Sequence, residues 1–170
     1  SPETSHEMYE DYGRVLYAGS RDGRFFLVEN WNEYQVQIYG ADGALERIIR
    51  RDDLVPIAKP DSVVDYEREI FETRREQDQA YTGGYEPDPC YPVIRSIGVD
   101  KSGNLWICRG DSHPAAYSDV WNPDGRPLKT VYVAGSEERP WSTYHVGTGG
   151  IVEYRETDTA ELSAGILPFE

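Results

Sequence analysis

The sequence predicts a mainly β chain: two four-stranded antiparallel units, a partial third, and one amphipathic helix inserted between the first two. Three observations carry this expectation. The stretch AGSRDGRFFLVEN (18–30) and the stretch GVDKSGNLWICRG (98–110) share one pattern: an apolar approach, an Asp/Gly turn, and alternating apolar residues running into polar ones. Each is followed by a second glycine turn, GADG in the first and NPDG in the second. Between them the run KPDSVVDYEREIFETRREQDQAY (59–81) places Val63, Tyr66, Ile70 and Phe71 at helical spacing among charges.

The two β segments align almost without gaps. Gly23 matches Gly103 at an offset of 80 and Gly43 matches Gly125 at 82, so a two-residue insertion in the middle loop accounts for the difference. Each copy opens with an apolar lead-in, Val15 to Ala18 or Val93 to Val99, and turns at RDG or DKSG. Glycine there supplies a positive φ at little steric cost. The strands FFLV or LWIC follow, then QVQIY or SDVW, then LERII or LKTVYV. Pro123, with Gly125 two residues on, suits turn chemistry. Four strands in about 40 residues is the size of one propeller blade. The blades are expected over 13–50 and 93–134, after a flexible segment at 1–12.

The helix is expected to start at Pro60 to Ser62, with Ser62 and Asp65 at capping-box spacing, and to run about 18 residues across the sheet. TGGYEPDPCYP cannot continue it, so 51–92 forms a helical insertion with a Pro/Gly loop. The tail, 135–170, offers a strand around GIVEYRE and another around ELSAGIL, a partial terminal blade.

Composition excludes several classes. Lys+Arg number 17 against 31 Asp+Glu, a formal net charge of −14, which argues against a nucleic-acid footprint and suits solubility. The 13 Tyr and 4 Trp, with a single Met, fit sheet better than helical bundle. No stretch approaches the ~18 apolar residues of a membrane-spanning helix. The opening SPETSHEMYEDYG has neither a basic nor an apolar signal region, and its first residue suggests removal of something upstream.

VDKSGNLWICR followed by VWNPDGRPLKTVYV resembles the six-bladed β-propeller family of secreted and envelope bacterial proteins, related to NHL-type propellers. YQVQIYGADGALERIIRR looks like that family's blade ending. The resemblance covers about residues 13–134 and implies C-terminal blades only, with a periplasmic or extracellular setting. It specifies a blade far better than a function, because this scaffold carries both binders and enzymes. Two blades and a fraction do not close a ring of six. The missing surface is therefore expected from upstream blades, from another subunit, or from a larger assembly, which can itself be membrane-seated.

Catalytic signals are sparse. His6, His113 and His145 carry no ligand spacing, DKSGN (100–104) is half a calcium loop without its later Glu, and neither a phosphate loop nor a GxSxG elbow occurs. No catalytic residue, metal ligand or cofactor is assigned. Cys90 and Cys108 are the only cysteines. A disulfide between them requires an oxidising compartment and a fold-back of the loop around Pro89 and Pro92. The strongest binding signal is aromatic: Trp31, Tyr34, Tyr117, Trp141 and Tyr144 are the candidate partner-binding residues, against the alternative that they pack between blades. Trp106 and Trp121 are expected in the core. The leading expectation is a non-enzymatic binding or assembly module of the bacterial envelope that docks through aromatic loops and the helix. The alternative is the C-terminal part of a metal-dependent propeller enzyme, lactonase- or lyase-like, for which Asp100 and Glu29 or Asn30 are the best available ligands.

Overall fold

The computed structural model describes residues 15–77, 87–110, 116–133, 142–147, 150–156 and 162–168. The chain is mainly β. The first sheet is a meander of β1 (Leu16–Gly19), β2 (Phe25–Val28), β3 (Gln35–Tyr39) and β4 (Leu45–Arg50). After helix α1 (Asp61–Gln77) comes the second meander: β5 (Ile94–Val99), β6 (Leu105–Arg109), β7 (Ala116–Trp121) and β8 (Pro127–Val133). A three-stranded sheet follows, with β9 (Ser142–Gly147), β10 (Gly150–Glu156) and β11 (Leu162–Pro168) adjacent in chain order.

The first and last hairpin turns of each meander, four in all, are closed in the same way. In each, the glycine N–H donates to the carbonyl three residues earlier, as Gly23 does to Ser20 and Gly125 to Asn122. A second bond closes the loop, as from Ser20 N–H to Arg24 and from Asn122 N–H to Arg126. The glycines Gly23, Gly43, Gly103 and Gly125 all have positive φ, between 68° and 87°. This is a type I turn ended by a left-handed residue, the conformation that glycine reaches at least cost. An Asp or Asn side chain braces each loop: Asp42 Oδ1 accepts from Ala44 N–H, and Asn122 Oδ1 from Arg126 N–H. Each second turn is preceded by a register shift, at Ile38/Tyr39 and at Val120/Trp121.

The first two sheets face one another. Phe26, Val28, Val36, Ile38 and Ile49 from the first interlock with Val93, Ile94, Ile97, Val99, Leu105 and Ile107 from the second in one buried cluster. Trp121 packs against that cluster and Trp106 is 5% exposed, as the sequence suggested. Trp106 and Cys108 alternate with Leu105 and Ile107, so they point away from the first sheet, yet they too are buried. On that side β9 lies against β5 and β6. The middle sheet is thus covered on both faces.

Three expectations need correction. The helix begins at Asp61, and the Pro60 carbonyl accepts from the Val63 and Val64 N–H groups. Pro60 therefore occupies the cap and Ser62 falls inside the first turn, so the capping box does not form. Nor, among the described residues, does the helix cover a sheet: no helix side chain that is described joins the buried cluster, and Tyr66 is exposed. Its charges outnumber its apolar residues too strongly for a deep apolar face. It is moored instead by Lys59, whose ammonium lies 2.8 Å from Glu67 and over the Tyr91 ring. Finally, no disulfide joins Cys90 and Cys108. Cys90 sits in a short antiparallel bridge with Ala58, while Cys108 is paired in the sheet with Ser96 and Ser118. A register shift between Ile94 and Ser96 brings Ser96, rather than Arg95, opposite Cys108.

Candidate functional site

Two features stand out among the described residues: a polar latch between the first two sheets, and an open apolar face on the first.

The latch centres on Asp119. Its position opposite Ile107 in β7 turns it toward the first sheet, where its side chain is 5% exposed. The Tyr34 hydroxyl donates to Oδ2 at 2.8 Å and Arg51 Nη1 donates to the same oxygen at 3.0 Å. Thr130 Oγ1 donates to Oδ1 at 2.6 Å, and Arg109 Nη1 stands 4.0 Å from it. Trp121 Nε1 donates in turn to the Tyr34 oxygen at 3.2 Å. Arg51 spends its other nitrogens on Asp53, and its guanidinium covers the Tyr34 ring. Burial, and then the Asp119 charge, push the Tyr34 phenol well above its ordinary range, so it stays a donor. The Asp53 hydrogen bonds hold Arg51 charged. Buried carboxylates need this many donors, and here they arrive from both sheets. At the other end of the interface Arg24 Nη1 donates to the Pro123 carbonyl at 2.7 Å.

A cleft of about 550 Å³ opens beside the latch, lined by Arg51, Asp119, Trp121, Leu128, Lys129 and Thr130 among others. The Arg51, Asp119 and Thr130 groups at its wall are already bonded to one another or to Asp53, and Lys129 lies over Trp106. None is left aimed at a reacting atom.

The residues considered as metal ligands are engaged in local structure. Asp100 accepts from the Ser102 and Asn104 N–H groups, from Asn104 Nδ2 and from Trp106 Nε1. Partial burial raises its pKa, but the bonds from Trp106 and Asn104 outweigh that and hold it below the usual carboxylate range. Glu29 accepts from Gln37, and Asn30 braces the 30–33 turn. Among the described residues no three His, Cys, Asp or Glu side chains converge on a cation-sized site.

The aromatic candidates separate. Tyr34 is 2% exposed and belongs to the latch and core, so it is not a docking residue. Its ring bridges the two sheets, and only its hydroxyl is polar enough to need a partner there. Trp31 is half-buried in the neighbouring loop, where its carbonyl accepts from Ile94 N–H. Tyr117 is half-buried on β7, with its ring 5.1 Å from Tyr132 and beneath Arg109. Trp141 and the Tyr144 side chain lie outside the described residues, as do His6 and His113.

The open face was not among the sequence candidates. On the side of the first sheet turned away from the core, register aligns Tyr17, Leu27, Gln37 and Ile48 in one row. Phe25, Tyr39 and Leu45 form the next. Tyr17 is 71% exposed, Leu45 51%, Ile48 45% and Phe25 39%. Tyr17 stacks on Phe25 with ring centroids 6.0 Å apart, and Phe25 meets Tyr39 at 6.5 Å. Gln35 and Arg50, bonded to each other, give it a polar margin. The signal for it lay in FFLV, four apolar residues in a row where a sheet with one wet face would alternate.

No protein-family model matches the chain, and no curated protein matches it either. No described helix is long and apolar enough to cross a membrane.

Proposed function

We propose that this chain is a non-enzymatic binding and assembly module, built from propeller-type blades, that docks onto a larger protein complex of the bacterial envelope or periplasm. One observation carries the docking role. FFLV and LWIC occupy equivalent strands, and both are written as continuous apolar runs, the pattern of a strand buried on both sides. LWIC is buried at all four positions, whereas FFLV is buried only at Phe26 and Val28. The first sheet therefore has a sequence suited to cover that the described residues do not provide. The common turn geometry, strand order and register shifts of the two meanders support the blade reading. The compartment rests on the family resemblance alone. The enzyme alternative has no comparable support, since Asp100, Glu29 and Asn30 are held in local structure.

The test is co-fractionation from envelope extracts with paired variants. Tyr17→Lys with Ile48→Lys places charge on the open face without touching the core. The expected result is an unchanged fold in circular dichroism and a loss of the high-mass fraction. Association that persists through both substitutions, or a wild-type chain that runs only as a free monomer, would remove the proposal.

A further inference from the structure

The structure itself shows what kind of surface fits the open face. Under the offsets of 80 and 82, Phe25 corresponds to Leu105, Leu27 to Ile107, Tyr17 to Ile97 and Tyr39 to Trp121. On the second sheet Ile97, Leu105 and Ile107 are at most 8% exposed, because the first sheet covers them with Phe26, Val28, Val36, Ile38 and Ile49. The covering side maps consistently as well. Phe26 and Val28 correspond to Trp106 and Cys108, the residues the second sheet turns toward β9. The first sheet thus packs one side against the opposite side of the second, head to tail. The first sheet displays the side that, one unit along, receives another sheet.

From this correspondence we infer that the open face binds an antiparallel β-sheet of a separate, neutral or basic protein, stacked as the first sheet is stacked on the second. The proposal rests on the docking role argued above and specifies the partner. The occupant presents alternating aliphatic and aromatic side chains, as Phe26, Val28, Val36 and Ile38 do. An amphipathic helix fits less well, since Tyr17, Leu27, Gln37 and Ile48 form a row across all four strands that matches the spacing of another sheet's strands. A second copy is disfavoured by charge, because each chain carries −14.

The test is in-cell photocrosslinking of the full chain, with benzoylphenylalanine at Tyr17, at Ile48 and, as a control, at the exposed helix residue Tyr66. Peptide mapping of the adducts is the readout. The expected result is adducts from Tyr17 and Ile48, absent from Tyr66, on strand segments of another protein with apolar residues at alternate positions. Adducts on a helical segment, on lipid or on a second copy of this chain would overturn the inference. So would an absence of outer-face adducts while the chain still co-fractionates with a complex, and that outcome would leave the docking role standing. Absence of both adducts and co-fractionation would remove both.

Discussion

Tyr34→Phe isolates the polar latch from the packing around it. The substitution keeps the ring that fills the space between the sheets and removes only the hydroxyl. Two hydrogen bonds go: the one donated to Asp119 Oδ2 at 2.8 Å and the one accepted from Trp121 Nε1 at 3.2 Å. A hydrogen bond to a charged group contributes about 1.5–3 kcal/mol and a neutral one about 0.5–1.5 kcal/mol. Arg51 and Thr130 still serve Asp119, and Trp121 is only partly buried, so the lower half of the sum applies, ~2–3 kcal/mol. Urea unfolding of the intact chain measures it as a lower midpoint with an unchanged slope. The pH dependence gives a second readout. Folding raises the Tyr34 pKa above its ordinary 10.0. The stability linked to the neutral phenol is therefore complete below about pH 10 and is lost as pH climbs beyond it. Wild type should lose stability over that range, and the Phe variant should lose less. A variant within about 0.5 kcal/mol of wild type, with the same alkaline profile, would show that the latch contributes nothing to joining the sheets.

Asp119→Ala should cost more than Tyr34→Phe, about 3–5 kcal/mol by urea unfolding, because it removes the shared acceptor of the Tyr34 and Thr130 hydroxyls and of one Arg51 nitrogen, while Asp53 still pairs the Arg51 charge. Gly43→Ala should cost ~1–2 kcal/mol in the same assay although a Cβ there meets nothing within 4 Å, since the penalty lies in its φ of 79°. Gly43→Asn should recover part of it. Lys59→Met should speed amide exchange across α1 and leave β2, β3 and β6 unchanged, because Lys59 moors the helix through Glu67. The Asp100 pKa is depressed by folding, so its contribution is present above about pH 4 and drains as pH falls through the lower folded value. Asp100→Asn should weaken the 100–104 turn at neutral pH and flatten that acid loss.

The meanders were legible because their turns are local. A glycine at positive φ, an Asp or Asn beside it and apolar residues on either side determine a hairpin within ten residues, and all four were found where expected. Two of the tail's strands, β10 and β11, were legible from their apolar patterns, whereas β9 was not. What failed depended on contacts far apart in the chain. Tyr34 looked like a loop aromatic because its partner Asp119 lies 85 residues away. Ser62 looked like a cap because the sequence does not reveal that the Pro60 carbonyl takes that place. The helix looked amphipathic enough to cover a sheet, yet Lys59, just ahead of it, provides the mooring. The register of Cys108 was displaced by one residue because nothing in VIRS announces the shift at Ile94.

The difference in cover between the first two sheets bears on how the unit is built. A strand between two neighbours has no use for alternation, and Leu105 to Cys108 show none. A strand facing water on one side normally replaces every second apolar residue with a polar one, since exposed aromatics invite aggregation. β3 goes part of the way, presenting Gln35 and Gln37 outward, and Arg50 extends that margin on β4. β1 and β2 do not, and Tyr17 and Phe25 stay stacked on each other in the open. Leu45 and Ile48 keep β4 apolar on this side as well, so the uncovered area reaches across the sheet with Gln35, Gln37 and Arg50 as its polar members. Where the structure shows a sheet being covered, β5 and β6 are buried at every position but Arg95 and Arg109, and that is the cover which the matching residues of β1 and β2 lack.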